Sequence, residues 1–137
     1  MEFVSHCVSD TYALAKTLAS RLKGGEILLL GGGLGAGKTT FTKGLAKALG
    51  VTREVVSPTF TLVREYSGEK LKLYHFDLYR VESEDELQEL GLDEYFASDA
   101  VTVIEWNKPG VALPGKTVKI DICDKGGEER LITVEGL

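Results

Sequence analysis

Gly32-Gly33-Leu34-Gly35-Ala36-Gly37-Lys38-Thr39 is the stretch from which the rest of the chain is read. It fits the pattern GxxxxGK[ST] without a mismatch. Glycines let a backbone turn successive N–H groups inward around a multiply charged anion. A helix beginning at Lys38 aims the positive end of its dipole at the same point. The Lys38 ammonium adds a mobile charge for the β and γ oxygens of a triphosphate, and the Thr39 hydroxyl is a hard oxygen ligand for magnesium. Ordinary residue frequencies give such a match odds of roughly one in two hundred in a chain of this length. The flanks lower those odds further. Glu26 to Leu30 reads as a short buried strand, continuously apolar from Ile27, and Lys38 to Leu49 as a helix closed by Gly50. Strand, glycine-rich loop and helix without a gap are the context a phosphate-binding loop requires. Gly33, Leu34, Gly35, Ala36, Gly37, Lys38, Thr39 and Thr40 are the expected nucleotide contacts.

Outward from this unit, Met1 to Val8 reads as a first strand. A helix follows from about Thr11 to Lys23, capped by Ser9 or Asp10 and carrying Leu14, Leu18 and Leu22 on one stripe. Downstream, Ser57-Pro58 opens a strand-like run through Val63, and Ser67-Gly68 signals a turn. Lys70 to Asp77 and Val101 to Glu105 read as further strands. Glu84 to Leu90 and Asp93 to Ser98 suggest short helices, and Asn107 to Gly115 a loop. Thr117 to Cys123 and Arg130 to Val134 suggest a hairpin around Asp124 to Gly127. Alternating strands and helices followed by antiparallel strands give an α/β fold: a P-loop-like mixed sheet flanked by helices, ending in an antiparallel hairpin. The 137 residues suit one domain spanning positions 1–137.

Composition narrows the function classes. Sixteen Lys and Arg against twenty-one Asp and Glu leave a formal charge of −5, whereas proteins that grip nucleic acid directly carry a basic surplus. Direct nucleic-acid binding is therefore disfavoured. Cys7 and Cys123 form no metal-ligating cluster and are expected as reduced thiols in or near the core. No basic segment precedes an apolar run at the N-terminus, and the strongly apolar stretch Ile27 to Leu30 is far too short to span a bilayer. A cytoplasmic protein without membrane contact is the expectation. Asn107-Lys108-Pro109-Gly110 begins like the guanine-reading NKxD motif but lacks its aspartate, which favours ATP over GTP. The five scattered arginines speak against the arginine-rich lid of a small-molecule kinase, the competing reading.

A bound triphosphate needs carboxylates to order magnesium and the attacking water, and these belong at the carboxyl ends of neighbouring strands. Asp77 ends Leu73-Tyr74-His75-Phe76, and Glu105 ends Val101-Thr102-Val103-Ile104. Sequence leaves the division of work between them open. Ser57, Thr59 and Thr61 present hydroxyls where a switch-like segment could sense the γ-phosphate. Arg80 and Arg130 are candidate cations for phosphate, Ser9 and Thr11 candidates near the base. His75, between aromatics, reads as a packed strand residue rather than a base. Trp106 belongs either to the core or to a contact surface for nucleotide or partner.

Four blocks in this order and spacing, Gly35-Ala36-Gly37-Lys38-Thr39-Thr40-Phe41, Ser57 to Val63, His75-Phe76-Asp77-Leu78-Tyr79-Arg80 and Ile104-Glu105-Trp106, resemble the signature of the TsaE family. That is the bacterial ATPase family of tRNA threonylcarbamoyladenosine biosynthesis. The resemblance implies an ATP- and Mg2+-dependent ATPase, slow alone, that acts on a TsaB–TsaD complex and meets tRNA only indirectly. It implies Thr39 and Glu105 as magnesium ligands and Asp77, with Lys38, as catalytic. Ser57, Thr59 and Thr61 would form the switch-like segment. Family members often carry Asp where this chain has Gly33, which removes any role for an acid there. The chain is expected to be a monomer, and a cation completing the transition state is expected from the partner.

Overall fold

The computed structural model describes residues 1–33, 35–58, 62–83, 85–86, 89, 91, 95–96, 99–106, 113 and 116–137. In chain order the elements are β1 (Glu2–Ser5), α1 (Val8–Ala19), β2 (Ile27–Gly31), α2 (Lys38–Ala48), β3 (Val63–Ser67), β4 (Lys72–Asp77), β5 (Ala100–Glu105), β6 (Thr117–Gly126) and β7 (Glu129–Glu135). The strands form one sheet in the order β1-β7-β6-β2-β5-β4-β3. β2 lies at its centre, parallel to both β5 and β6, and β5 is parallel to β4. The remaining pairings, β1 with β7, β6 with β7 and β3 with β4, are antiparallel. The mixed α/β sheet with a closing hairpin is the architecture expected from sequence.

The central strands are apolar on both faces because both faces are covered. Leu28 and Leu30 of β2, with Val101 and Val103 of β5, pack under α1 and α2. The alternate residues Ile27 and Ile104 join Phe76, Leu78 and Val81 in a second cluster, completed by Tyr95 and Phe96. Tyr95 meets Tyr74 and Phe76 edge-on, with centroids 5.1 and 5.0 Å away.

Several boundaries differ from the expectation. Cys7, in extended conformation, occupies the N-cap of α1, so Ser9 and Asp10 lie inside its first turn. The Asp10 carboxylate instead accepts the His6 N–H at 2.9 Å, and Ser5 Oγ bridges to the Cys7 carbonyl and Thr11 Oγ1. Side chains thus fasten the end of β1 to the helix without capping it. Of the strand-like run expected from Ser57 to Val63, residues 59–61 lie outside the described residues, and β3 covers Val63–Ser67. The hairpin strands run past their expected ends, with a register shift between Asp124 and Gly126. Cys123 is exposed because Val118, Ile120 and Ile122 claim the inner face of β6, leaving it on the outer one. The short helices expected over Glu84–Leu90 and Asp93–Ser98 fall largely outside the described residues. The Ser83 hydroxyl accepts the Glu86 N–H.

α1 and α2 touch at Gly44. A Cβ there would meet Tyr12 Cδ1 at 2.8 Å and Ala15 Cβ at 3.1 Å, so only glycine permits this approach. Gly44→Val is expected to destabilise the fold by about 2–3 kcal/mol despite removing a helical glycine. The urea midpoint of the purified variant checks this.

Candidate functional site

Strand register brings the expected site together. β2, β5 and β4 are parallel neighbours, and Leu30 pairs with Glu105 while Glu105 pairs with Asp77. The chain leaves β2 on one side of the sheet's turning point and enters α2, so the glycine-rich loop lies beside both carboxylates. Ligands bind at such crevices in open α/β sheets. Gly32 makes the loop possible. Its φ is 134°, and a Cβ would lie 2.5 Å from the Ile122 carbonyl oxygen. Gly37, the N-cap of α2, is also left-handed, and no side chain caps this helix. The first-turn N–H groups are left for an external acceptor.

A cleft of about 380 Å3 opens over this helix end. Lys38, Thr39 and Thr40 line it together with Asp77 and Glu105. Ser57, Tyr79, Arg80 and Trp106 complete its rim. Lys38 is only 6% exposed. Its ammonium donates to the Gly32 carbonyl at 3.0 Å and sits 3.6 Å from the Trp106 ring centroid. Burial pushes the Lys38 pKa below its ordinary value, and the charges of Glu105 and then Asp77 pull it back. Trp106 reaches the ammonium because its φ is 57°, a conformation that costs a non-glycine residue about 1–2 kcal/mol. Tyr79 braces the indole from the edge, with ring centroids 5.0 Å apart.

The two carboxylates are held differently. Asp77 Oδ1 accepts the Tyr79 N–H at 2.9 Å, fastening the turn that follows β4. Glu105 Oε2 is hydrogen-bonded to His75 Nε2, both side chains being buried. Among the described residues no cluster of three or more His, Cys, Asp or Glu side chains forms a cage for a metal. Oxygen donors from Thr39, Glu105 and Asp77 in one cleft do fit magnesium, which takes one or two carboxylates and completes its shell with phosphates and water.

The outlying candidates lie elsewhere. Arg130 donates from Nε to the Ala36 carbonyl at 2.9 Å, and from Nη1 to Asp124 and to the Gly127 and Glu129 carbonyls. It ties the hairpin to the loop. Thr11 is buried, with its hydroxyl 2.7 Å from Ser5 Oγ. Both nonetheless border a second cleft of about 200 Å3, shared with Val8, Thr40 and the hairpin turn. Leu34, Thr59, Thr61 and the Asn107–Gly110 segment lie outside the described residues. Sequence reasoning passed over Tyr79, although it stands two positions after Asp77 in a quoted block. It also read His75 as mere packing. Strand alternation could have found the pairing, since His75 and Asp77 share a face and Glu105 ends the adjoining strand.

Loop, helix end and strand-end carboxylates define a P-loop protein of the α/β class. Its relatives are specific. The family model for the Threonylcarbamoyl adenosine biosynthesis protein TsaE matches residues 5–132. A tRNA threonylcarbamoyladenosine biosynthesis protein TsaE from Bacillus subtilis is 50% identical over 125 residues, 90% of this chain and 78% of the relative. The Treponema pallidum protein of that name is 40% identical over 135 residues, 98% of this chain and 99% of its own. The crystal structure of Bacillus subtilis YdiB superposes with a TM-score of 0.80 at 42% identity, covering 98% of this chain and 83% of that one. The chain belongs to the TsaE family. Among the described residues no helix is long and apolar enough to cross a membrane.

Trp106 is the chain's one tryptophan. A triphosphate that draws the Lys38 ammonium off the indole changes its surroundings, so saturable change in tryptophan emission is expected on titration with ATP and magnesium. Emission that stays constant while binding is detected by another method contradicts the expected movement of Lys38.

Proposed function

We propose that this chain binds ATP with magnesium in the cleft above α2 and hydrolyses it to ADP and phosphate. In this reading it serves threonylcarbamoyladenosine formation in tRNA, in the cytoplasm, by acting on a TsaB–TsaD complex rather than on the tRNA. One observation carries the proposal: Lys38 and Thr39 at a helix N-terminus line a single cleft together with Asp77 and Glu105. The family supplies the pathway, since its relatives bear threonylcarbamoyladenosine biosynthesis in their names.

The chemistry follows from the residues. Loop amides and the Lys38 ammonium hold the β and γ oxygens and stabilise the charge that develops on the transferred phosphoryl group. Thr39 and Glu105 would hold magnesium, which supplies Lewis-acid neutralisation of the phosphate oxygens when bound. Asp77, anchored through the Tyr79 N–H, is the carboxylate left to orient the attacking water. Ser57 and Arg80 approach from the rim, where a segment answering to the γ-phosphate belongs. The net charge of −5 suits a protein that reaches RNA through partners.

Phosphate release with no added acceptor is expected, together with faster turnover when the TsaB–TsaD complex is present. Lys38→Ala is expected to lower turnover roughly a hundredfold or more. Phosphate release assays on the parent and variant, with and without the complex, check both. Strict dependence on a small alcohol or nucleoside acceptor would make the protein a kinase instead. A rate indifferent to the complex would sever the partner assignment.

A further inference from the structure

His75 is a buried titratable residue that the phosphate chemistry does not use directly. It is fully buried and does not line the cleft. On β4 it pairs in register with Val103, two positions before the Asp77–Glu105 pair, so its ring lies beneath the cleft floor. Alternation turns Leu73, His75 and Asp77 towards the same face of the sheet. Leu73 there is an ordinary core residue. An aliphatic side chain at position 75 would serve for packing alone. An imidazole leaves Nδ1 buried with no partner among the described residues, a penalty that packing alone gives no reason to accept. What the imidazole gains is the hydrogen bond from Nε2 to Glu105 Oε2.

We propose that His75 is a positioning residue for Glu105. Its Nε2–H holds one carboxylate oxygen, so that Oε1 remains the oxygen presented to a divalent cation. In that contact the carboxylate oxygen accepts, so Nε2 is the nitrogen that carries the shared proton. A carboxylate at a strand end can otherwise rotate between several orientations, most of which turn neither oxygen usefully towards the cleft. Fixing one oxygen removes that freedom before the metal arrives, and such supporting hydrogen bonds commonly change metal affinity by 10–100-fold. The inference rests on the proposed nucleotide–magnesium reading of the cleft.

The test compares the parent with His75→Leu and His75→Gln, using Mn2+ as a spectroscopic stand-in for magnesium. Mn2+ affinity is measured by electron paramagnetic resonance with the protein saturated in ADP, and ADP affinity is measured separately in chelator. His75→Leu is expected to bind Mn2+ at least about tenfold more weakly, with metal-free ADP affinity unchanged. His75→Gln, whose amide can donate to the same oxygen, is expected to recover most of the loss. Parent-like Mn2+ affinity in His75→Leu overturns the proposal, as does a glutamine variant no better than leucine. Failure of the parent itself to bind Mn2+ with ADP would sink the nucleotide–metal reading instead. Should the leucine variant not fold, the 15N signal of Nε2 in the parent decides: a proton-bearing nitrogen that shifts when Mg2+ and ADP are added is expected, and an unprotonated one overturns the assignment.

Discussion

A lysine ammonium held almost out of water, with two carboxylates in the same cleft, is the constraint around which this molecule is arranged. Burial alone would drive Lys38 towards its neutral form, and Glu105 and Asp77 oppose that. The three side chains come from one helix start and two strand ends. Their spacing is therefore set by the parallel pairing of β2, β5 and β4. Any slip of register by one residue would turn a carboxylate to the opposite face and leave the ammonium without its counter-charge. The apolar cover on both sides of the central strands is what holds that register.

The same arrangement explains why a divalent ion suits the cleft. Lys38 and Arg80 among its lining residues balance Asp77 and Glu105, so no local positive surplus meets a polyphosphate. In the proposed reading, loop amides would offset part of a polyphosphate's negative charge through their dipoles, and a metal shared between phosphate and protein oxygens would offset more. The Trp106 ring lies over the ammonium and Tyr79 packs against that ring from the edge, joining Lys38 to a rim where Tyr79 is 53% exposed. A displacement of Lys38 thereby has a short physical route to the protein surface.

Much of this was legible in the sequence because its signals are local. The loop pattern, the buried run of β2 and the apolar ends of β4 and β5 each declare themselves within a few residues. The pairing of Asp77 with Glu105 was foreseeable in kind, as both close strands, although only the register places them side by side. What the sequence hid depends on distant partners. Arg130 read as a phosphate cation, yet it binds the Ala36 carbonyl from 94 positions away, which no local pattern encodes. Cys7 takes the N-cap position of α1 with no side-chain cap, and the Asp10 carboxylate inside the first turn accepts the His6 N–H instead. His75 looked like packing because a histidine among aromatics is ambiguous until its neighbour across the sheet is known.

The central claim is that loop amides and Lys38 enclose a triphosphate tail together with a divalent ion. Isothermal titration calorimetry with a non-hydrolysable ATP analogue, run in saturating magnesium and again in chelator, tests it most directly. The account predicts one site per chain, with affinity that falls on metal removal and vanishes in Lys38→Ala. Absence of binding heat in magnesium, or a Lys38→Ala variant that binds as the parent does, would contradict it.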